Sequence, residues 1–229
     1  MKFSIVIPTY EYKGLAVKLL DTLLESIIKQ TFTDYEVIVV DHSVNNVIEN
    51  YCNNYSELNI KYIKNEIGRG NSSINMNVGI KNAIGDFIKI MHIDDWFCNT
   101  KTLELINNAI NEDPTKKWGG VGFNHFYEES QMTNRPILPY IDSNIRTLIG
   151  CPSVSFFINE KENPNYYDEN LIIINDSDMH IRLGKKYGEP ILINEYCVTV
   201  RMSENQVSNQ VSHEKHTNEI NYYKTKNFV

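Results

Sequence analysis

Two apolar runs in the first half of the chain end in acid: residues 35–40 close on Asp41, and residues 87–93 close on Asp94-Asp95. Both are strand-length with little polar alternation, as expected of strands buried on two faces of a sheet. A third run, residues 3–7, is halted by Pro8 and followed by Thr9-Tyr10-Glu11, since proline cannot donate to a ladder. Between these runs the period changes. Leu15, Leu19, Leu20, Leu23, Leu24, Ile27 and Ile28 recur at helical spacing. Residues 47–55 read as a weaker helix and 60–63 as a short strand. Asn71 or Ser72 can cap a helix through Ala83, with Gly85 placed for a left-handed C-terminal cap. Thr100 can cap another through Ile110, stopped by Asp113-Pro114. Strand and helix in alternation predict an α/β, Rossmann-type fold: a mostly parallel central sheet with helices on both faces. Ligands bind such sheets beyond the carboxyl ends of the strands. There the chain places Thr9-Tyr10-Glu11, Asp41-His42-Ser43, and His92 with Asp94-Asp95.

The second half is less regular. Residues 118–127, 154–158, 191–193 and 197–200 read as strands, and 176–187 and 213–224 as helices. With no repeat, linker or charge block, residues 1–229 read as one domain. A net charge of −7 and a pI near 5.4 argue against nucleic acid as a partner, which needs a basic face. No run approaches the roughly 18 apolar residues of a membrane span, and Pro8 interrupts the N-terminal run too early for a signal peptide. Cys52, Cys98, Cys151 and Cys197 lie far apart without metal spacing, which favours free thiols and a cytoplasmic location. A homodimer is compatible with this composition.

Adjacent carboxylates at a strand end supply hard oxygen ligands for Mg²⁺ or Mn²⁺, usually completed by ligand phosphates. The competing reading of Asp94-Asp95 is a solvated turn. Asp41 can accept hydrogen bonds from a ribose or base, or simply cap its strand. His42 reads as a solvated loop histidine. In Asn175-Asp176-Ser177-Asp178 one carboxylate can act as a general base while the other caps a helix or orients a neighbour, and capping alone is the plainer reading. Gly68-Arg69-Gly70-Asn71-Ser72-Ser73 lacks the ending of a P-loop, leaving Arg69 as a phosphate contact. His213 and His216 share helical spacing on what reads as a solvated face. Phe126, Tyr127 and Tyr140 read as core in preference to an acceptor wall.

Several stretches taken in order resemble one family. They are residues 4–10, residues 30–43, residues 75–88, His92-Ile93-Asp94-Asp95, Pro152-Ser153, Tyr167-Asp168-Glu169-Asn170 and Asn175-Asp176-Ser177-Asp178. Together they are similar to the family 2 glycosyltransferases, inverting enzymes of the GT-A fold, from residue 3 to about 208. The resemblance implies a nucleotide-sugar-binding half in residues 1–97, and an acceptor-binding half with a terminal helix in 98–229. It implies nucleotide contacts at Pro8, Thr9, Tyr10, Glu11, Asp41, Arg69, Asn77 and Asp94, a Mn²⁺ or Mg²⁺ site at His92, Asp94 and Asp95, and Asp176 as catalytic base. The implied reaction is transfer of a hexose or N-acetylhexosamine from a nucleotide-sugar, UDP-linked, to a hydroxyl of a glycan or other acceptor in polysaccharide biosynthesis. The chain departs from the family pattern at four places. His92 replaces the first Asp of the metal motif, Met76 an Arg, Asn175 a Glu, and Ser203 the His of an Arg-x-His element. The substitutions at 92, 175 and 203 also suit an inert nucleotide-sugar or glycan-binding module. A nucleotidyltransferase is disfavoured, because no Gly-rich loop follows the first strand.

Overall fold

The computed structural model describes residues 2–130, 132–133, 149–204, 206 and 211–228; Tyr140 lies outside them. The strands are β1 (Phe3–Thr9), β2 (Tyr35–Asp41), β3 (Ile60–Lys64), β4 (Phe87–Ile90), β5 (Trp96–Phe97), β6 (Trp118–Tyr127), β7 (Met132–Thr133), β8 (Ser155–Ile158) and β9 (Ile191–Met202). The helices are α1 (Ala16–Ile28), α2 (Val47–Asn54), α3 (Ser72–Asn82), α4 (Thr102–Glu112), α5 (Asn175–Tyr187) and α6 (His213–Phe228), with a 3-10 turn at Pro152–Val154. Among the described residues the strands form one sheet in the order β3-β2-β1-β4-β8-β6-β9-β5, with β7 against β6.

The N-terminal part of the sheet is parallel throughout: β1 pairs with β2 and β4, and β2 with β3. β8 then enters antiparallel between β4 and β6, while β6 and β9 run parallel. The α/β reading therefore holds, with a mixed second half that irregular patterning left open. β9 joins what read as two strands into one, and its register against β6 shifts at Gly122. Residues 3–9 are all buried, Pro8 included. Phe3 N–H donates to Asp34 O on the β2 side, so by strand alternation the missing N–H of Pro8 faces β4. That ladder has already ended at Val6↔Ile90, which is why a proline is tolerated in an inner strand.

α1 buries Ala16, Leu20, Leu23, Leu24 and Ile27, the apolar stripe expected of a helix lying on a sheet. Asn71 caps α3 by accepting from the N–H groups of Ser73 and Ile74. The helix stops at Asn82, and Gly85 is not in the left-handed region expected of it. Its glycine identity has another cause. A Cβ there would stand 2.7 Å from both Lys2 O and Ser4 N, backbone atoms of the sheet that cannot swing aside. The Gly85 N–H also donates to Ser4 Oγ (2.9 Å) and Glu36 Oε1 (3.1 Å). Gly85→Ala is expected to cost about 1–3 kcal/mol, the usual range for overpacking. Chemical denaturation checks this, and an unchanged midpoint would show that the β1–β4 junction gives way freely.

Candidate active site

The carboxyl ends of β1, β2 and β4 lie side by side, because β1 sits between the other two with Thr9↔Asp41 and Val6↔Ile90 in register. Thr9 is buried and its hydroxyl donates to Val40 O (3.1 Å). Asp41 is fully buried. Its Oδ1 accepts from the Ser43 N–H (2.7 Å), and its Oδ2 from the Tyr62 hydroxyl (2.8 Å) and Lys64 Nζ (3.2 Å). The strand-end turn weighed for Asp41 is thus formed, and the carboxylate organises the rim without facing solvent. Ser43 Oγ in turn receives the Glu11 N–H (2.8 Å). His42, expected to be solvated, is buried with Nε2 2.8 Å from the Ile67 carbonyl, and burial lowers its pKa. Its own carbonyl accepts from Arg69 Nε (3.0 Å), which moors an otherwise exposed guanidinium beside this edge. Tyr10 is exposed and Glu11 half-buried.

After Ile90 the chain leaves the ladder and turns, with the Asp95 N–H donating to His92 O (3.1 Å). This turn gathers His92, Asp94 and Asp95 so that one ligand atom from each lies within 4.8 Å of the others. It is not a solvated turn, for Asp95 is buried and its Oδ1 accepts from the Arg201 N–H (3.0 Å). Burial, then the charge of Asp94, pushes the Asp95 carboxyl well above its ordinary range. Burial pushes the His92 imidazole down, toward the neutral form that ligates metals. Its Nε2 is buried with no hydrogen-bond partner. A buried ring nitrogen without a partner beside two crowded carboxylates fits a divalent cation, which would satisfy all three.

Two cations brace this turn. Lys89 is completely buried in β4, and its Nζ donates to Ser153 O and to Ile90 O. Burial lowers its pKa to about 7. Ser153 Oγ accepts the His92 N–H (2.9 Å). Arg201 donates from Nε to Asp94 O (3.3 Å), and its guanidinium lies 5.3 Å from the Trp96 ring centre and 5.6 Å from that of Phe126. Phe126 is therefore half-buried at the site's edge and Tyr127 exposed, where core packing was expected of both.

Asp176 stands in the first turn of α5, and the cap position falls to Ile174, which makes no side-chain cap bond. Asp176 Oδ1 accepts the adjacent Ser177 N–H (2.6 Å). Burial raises its pKa to about 7. Burial, then the charge of Asp95, raises the Cys151 thiol, with the charge of Asp176 adding to the rise. Asn175 Nδ2 donates to Ser73 Oγ (2.9 Å) on α3. Two residues on, Asn75 Nδ2 reaches Thr9 O (3.3 Å) and Val40 O (2.8 Å). The Asp176 segment is thus tied to the strand ends through one turn of helix. Asp178 is fully buried and paired with Arg182 (2.7 Å) and Lys226 (2.9 Å), the orienting task weighed for one of the two acids. Asn77, expected at the nucleotide, instead donates to Tyr167 O (2.9 Å) and Glu169 Oε1 (3.0 Å) and accepts the Tyr167 N–H (2.8 Å). Its carboxamide is committed at both ends.

The family model described as "Glycosyl transferase family 2" matches residues 4–162, well over half the chain. The chain belongs to glycosyl transferase family 2. Among curated relatives of this family 2 chain, it is 36% identical over 110 residues to "Poly(ribitol-phosphate) beta-N-acetylglucosaminyltransferase TarS" of Staphylococcus aureus, an alignment covering 45% of the chain and 18% of that protein. It is 39% identical over 97 residues to "Uncharacterized glycosyltransferase YwdF" of Bacillus subtilis, covering 42% and 34%. The chain thus spans about a third or less of these relatives. The crystal structure of S. aureus TarS 1-349 in complex with UDP-GlcNAc superposes with a TM-score of 0.76 at 22% identity, over 99% of this chain and 66% of that one. The mannosyltransferase PcManGT from Pyrobaculum calidifontis, in complex with GDP-Man and Mn²⁺, superposes at 0.65 and 16% identity, over 98% and 63%. These likenesses establish the GT-A fold. Among the described residues of the family 2 chain, no helix is long and apolar enough to cross a membrane.

Three supporting residues escaped the sequence reading. Lys89 carried a signal, since a charge inside a strand buried on both faces calls for a partner. Asn75 and Ser73 carried a fainter one: polar residues on the face of α3 that its apolar Met76 and Ile80 turn inward.

Proposed function

We propose that this chain is an inverting, metal-assisted glycosyltransferase that moves a sugar from a UDP-linked donor to a hydroxyl of a glycan or other acceptor. The observation that carries the reading is the gathering of His92, Asp94 and Asp95 at the β4 end, with the His92 Nε2 buried and unpartnered. The UDP preference draws on the UDP-GlcNAc held by TarS, and the metal on the Mn²⁺ held by PcManGT. Residues 1–97 would take the nucleotide and 98–229 the acceptor.

In this reading Tyr10, Glu11, Arg69 and Asp94 meet the nucleotide-sugar, over a floor of Pro8, Thr9 and Asp41. Tyr10 offers an exposed ring for the base, and Arg69 a guanidinium for the phosphates. His92, Asp94 and Asp95 would hold a Mn²⁺ or Mg²⁺ ion, which when bound neutralises a diphosphate leaving group. Asp176 takes the proton from the acceptor hydroxyl as its oxygen bonds to the anomeric carbon and the bond to the diphosphate breaks, inverting the configuration.

A thermal-shift panel of UDP-, GDP- and dTDP-sugars with Mn²⁺ tests this directly. A donor at about 100 times its Kd adds roughly 2.7 kcal/mol, which for a domain of this size raises Tm by about 5–10 °C. The UDP-sugars are expected to give that shift, and slow hydrolysis of the bound donor separates an enzyme from an inert module. No shift with any nucleotide-sugar sinks the proposal.

A further inference from the structure

The residues leading to Asp176 belong to no strand or helix: 165–174 are irregular, with a turn at 169–170 and bends at 172–174. Such a segment has no ladder or helix of its own to hold it, so contacts from elsewhere must fix it if a side chain at its end is to keep one position. α3 holds one side. Asn71 Nδ2 donates to Glu169 O (2.7 Å), Ser73 Oγ to Leu171 O (2.6 Å), and Asn77 binds Tyr167 and Glu169 as described.

The other side is held by α6. Glu219 is buried, and its Oε2 accepts the consecutive N–H groups of Ile172 (3.0 Å) and Ile173 (2.9 Å). A carboxylate bonded to two backbone donors away from water is among the stronger polar contacts a protein makes. Two turns further along, Lys226 Nζ lies between Asp168 Oδ2 (2.7 Å) and Asp178 Oδ1 (2.9 Å). These carboxylates bracket Asp176 in sequence. Tyr222 adds its hydroxyl to Asp168 (2.9 Å). The contacts of α6 thus fall on the stretch before the base and on the residue two beyond it.

We infer that α6 belongs to the catalytic apparatus, with Glu219 and Lys226 as positioning residues that fix where Asp176 points. This rests on the reading of Asp176 as base. Neither residue touches the nucleotide edge, so removing them should affect transfer to the acceptor and spare donor binding. The effect is large because misplacing a catalytic group by about 1 Å can cost on the order of 100-fold.

The test compares Lys226→Met, Lys226→Arg and Glu219→Gln with the parent chain. It reads kcat for transfer, the Kd for UDP-sugar with Mn²⁺, and Tm, with kinetics run well below every Tm. Lys226→Met is expected to lower kcat at least tenfold while donor Kd stays within twofold, and Lys226→Arg to recover most of the loss. A purely structural α6 predicts a lower Tm with kcat within twofold of the parent, and that result overturns the inference. So does a donor Kd that weakens in step with kcat, or an Arg variant no better than Met. If Lys226→Met does not fold, Glu219→Gln decides. It keeps the side-chain volume but removes the charge from the Ile172 and Ile173 contacts, and an unchanged kcat there overturns the inference equally. Asp176→Asn runs alongside as the control. Normal transfer by that variant removes the base reading itself, whereas an inactive Asp176→Asn beside a fully active Lys226→Met removes only the role of α6.

Discussion

Asp176→Asn is expected to lower kcat for sugar transfer by about 100- to 10,000-fold, the range a positioned base contributes, with UDP-sugar affinity nearly unchanged. The substitution keeps the shape and still lets the side-chain oxygen accept from the Ser177 N–H, so folding is not at issue. What it removes is an acceptor for the proton. The parent's pH profile carries a second part of the same expectation. Burial raises the Asp176 pKa to about 7, and a base works only when deprotonated. The rate should therefore climb as pH rises through about 7, and the residual activity of the Asn variant should lack that rise. Stability runs the opposite way. The folded-state value of about 7 exceeds the ordinary 3.8, so between those values the folded protein keeps a proton that the unfolded chain releases. The group's contribution to stability falls as pH rises across that window. Asp176→Asn removes this loss and should melt at or above the parent at pH 8. Activity lost while stability holds or improves is the pattern of a residue kept for chemistry. A variant that transfers normally, or a parent rate flat from pH 6 to 8, rejects the assignment.

The parallel half of the sheet was legible because its strands are largely apolar, and the chain turns polar at or soon after their carboxyl ends. Residues 35–41 read as a strand ending in an acid, and β2 ends at Asp41. The 87–93 run read too long. The ladder ends at Ile90, because the chain must leave the sheet to gather His92, Asp94 and Asp95. Apolar Met91 and Ile93 extend the pattern without extending the strand. The mixed second half was less legible for a related reason. β8 is four residues long and antiparallel to both neighbours, and direction leaves no mark in so short a stretch.

The site divides along the same line. The acids at the strand ends could be named from sequence, because a charge terminating a buried strand has few places to go. Whether such an acid is open or closed could not. Asp41 is sealed by Tyr62, Lys64 and Ser43, of which the first two lie on another strand. Asn77 looked placed for a ligand, but its partners lie some 90 residues away. Only the folded chain brings Tyr167 to it.

Asp94→Ala and Asp95→Ala are each expected to abolish the Tm shift that Mn²⁺ gives the parent and to lower transfer by about 100-fold or more, since a bound cation contributes several kcal/mol of charge stabilisation. The two should differ in one respect. Asp95 is buried and Asp94 partly open, and burial with the neighbouring charge already holds the Asp95 carboxyl well above its usual range. Without metal, replacing Asp94 removes the like charge beside Asp95 and should leave the protein as stable as the parent or more so. Replacing Asp95 also strands the Arg201 N–H that it accepts, a loss of about 1–3 kcal/mol for an unsatisfied buried donor. The metal-free Tm should therefore rank Asp94→Ala at or above the parent and Asp95→Ala below it, while neither responds to Mn²⁺. A protein that merely used this acidic turn for solubility would show the stability ranking without the metal response. Retained Mn²⁺ stabilisation in both variants would remove Asp94 and Asp95 from the metal site, because a cation held by His92 and two carboxylates should bind far more weakly once either carboxylate is lost.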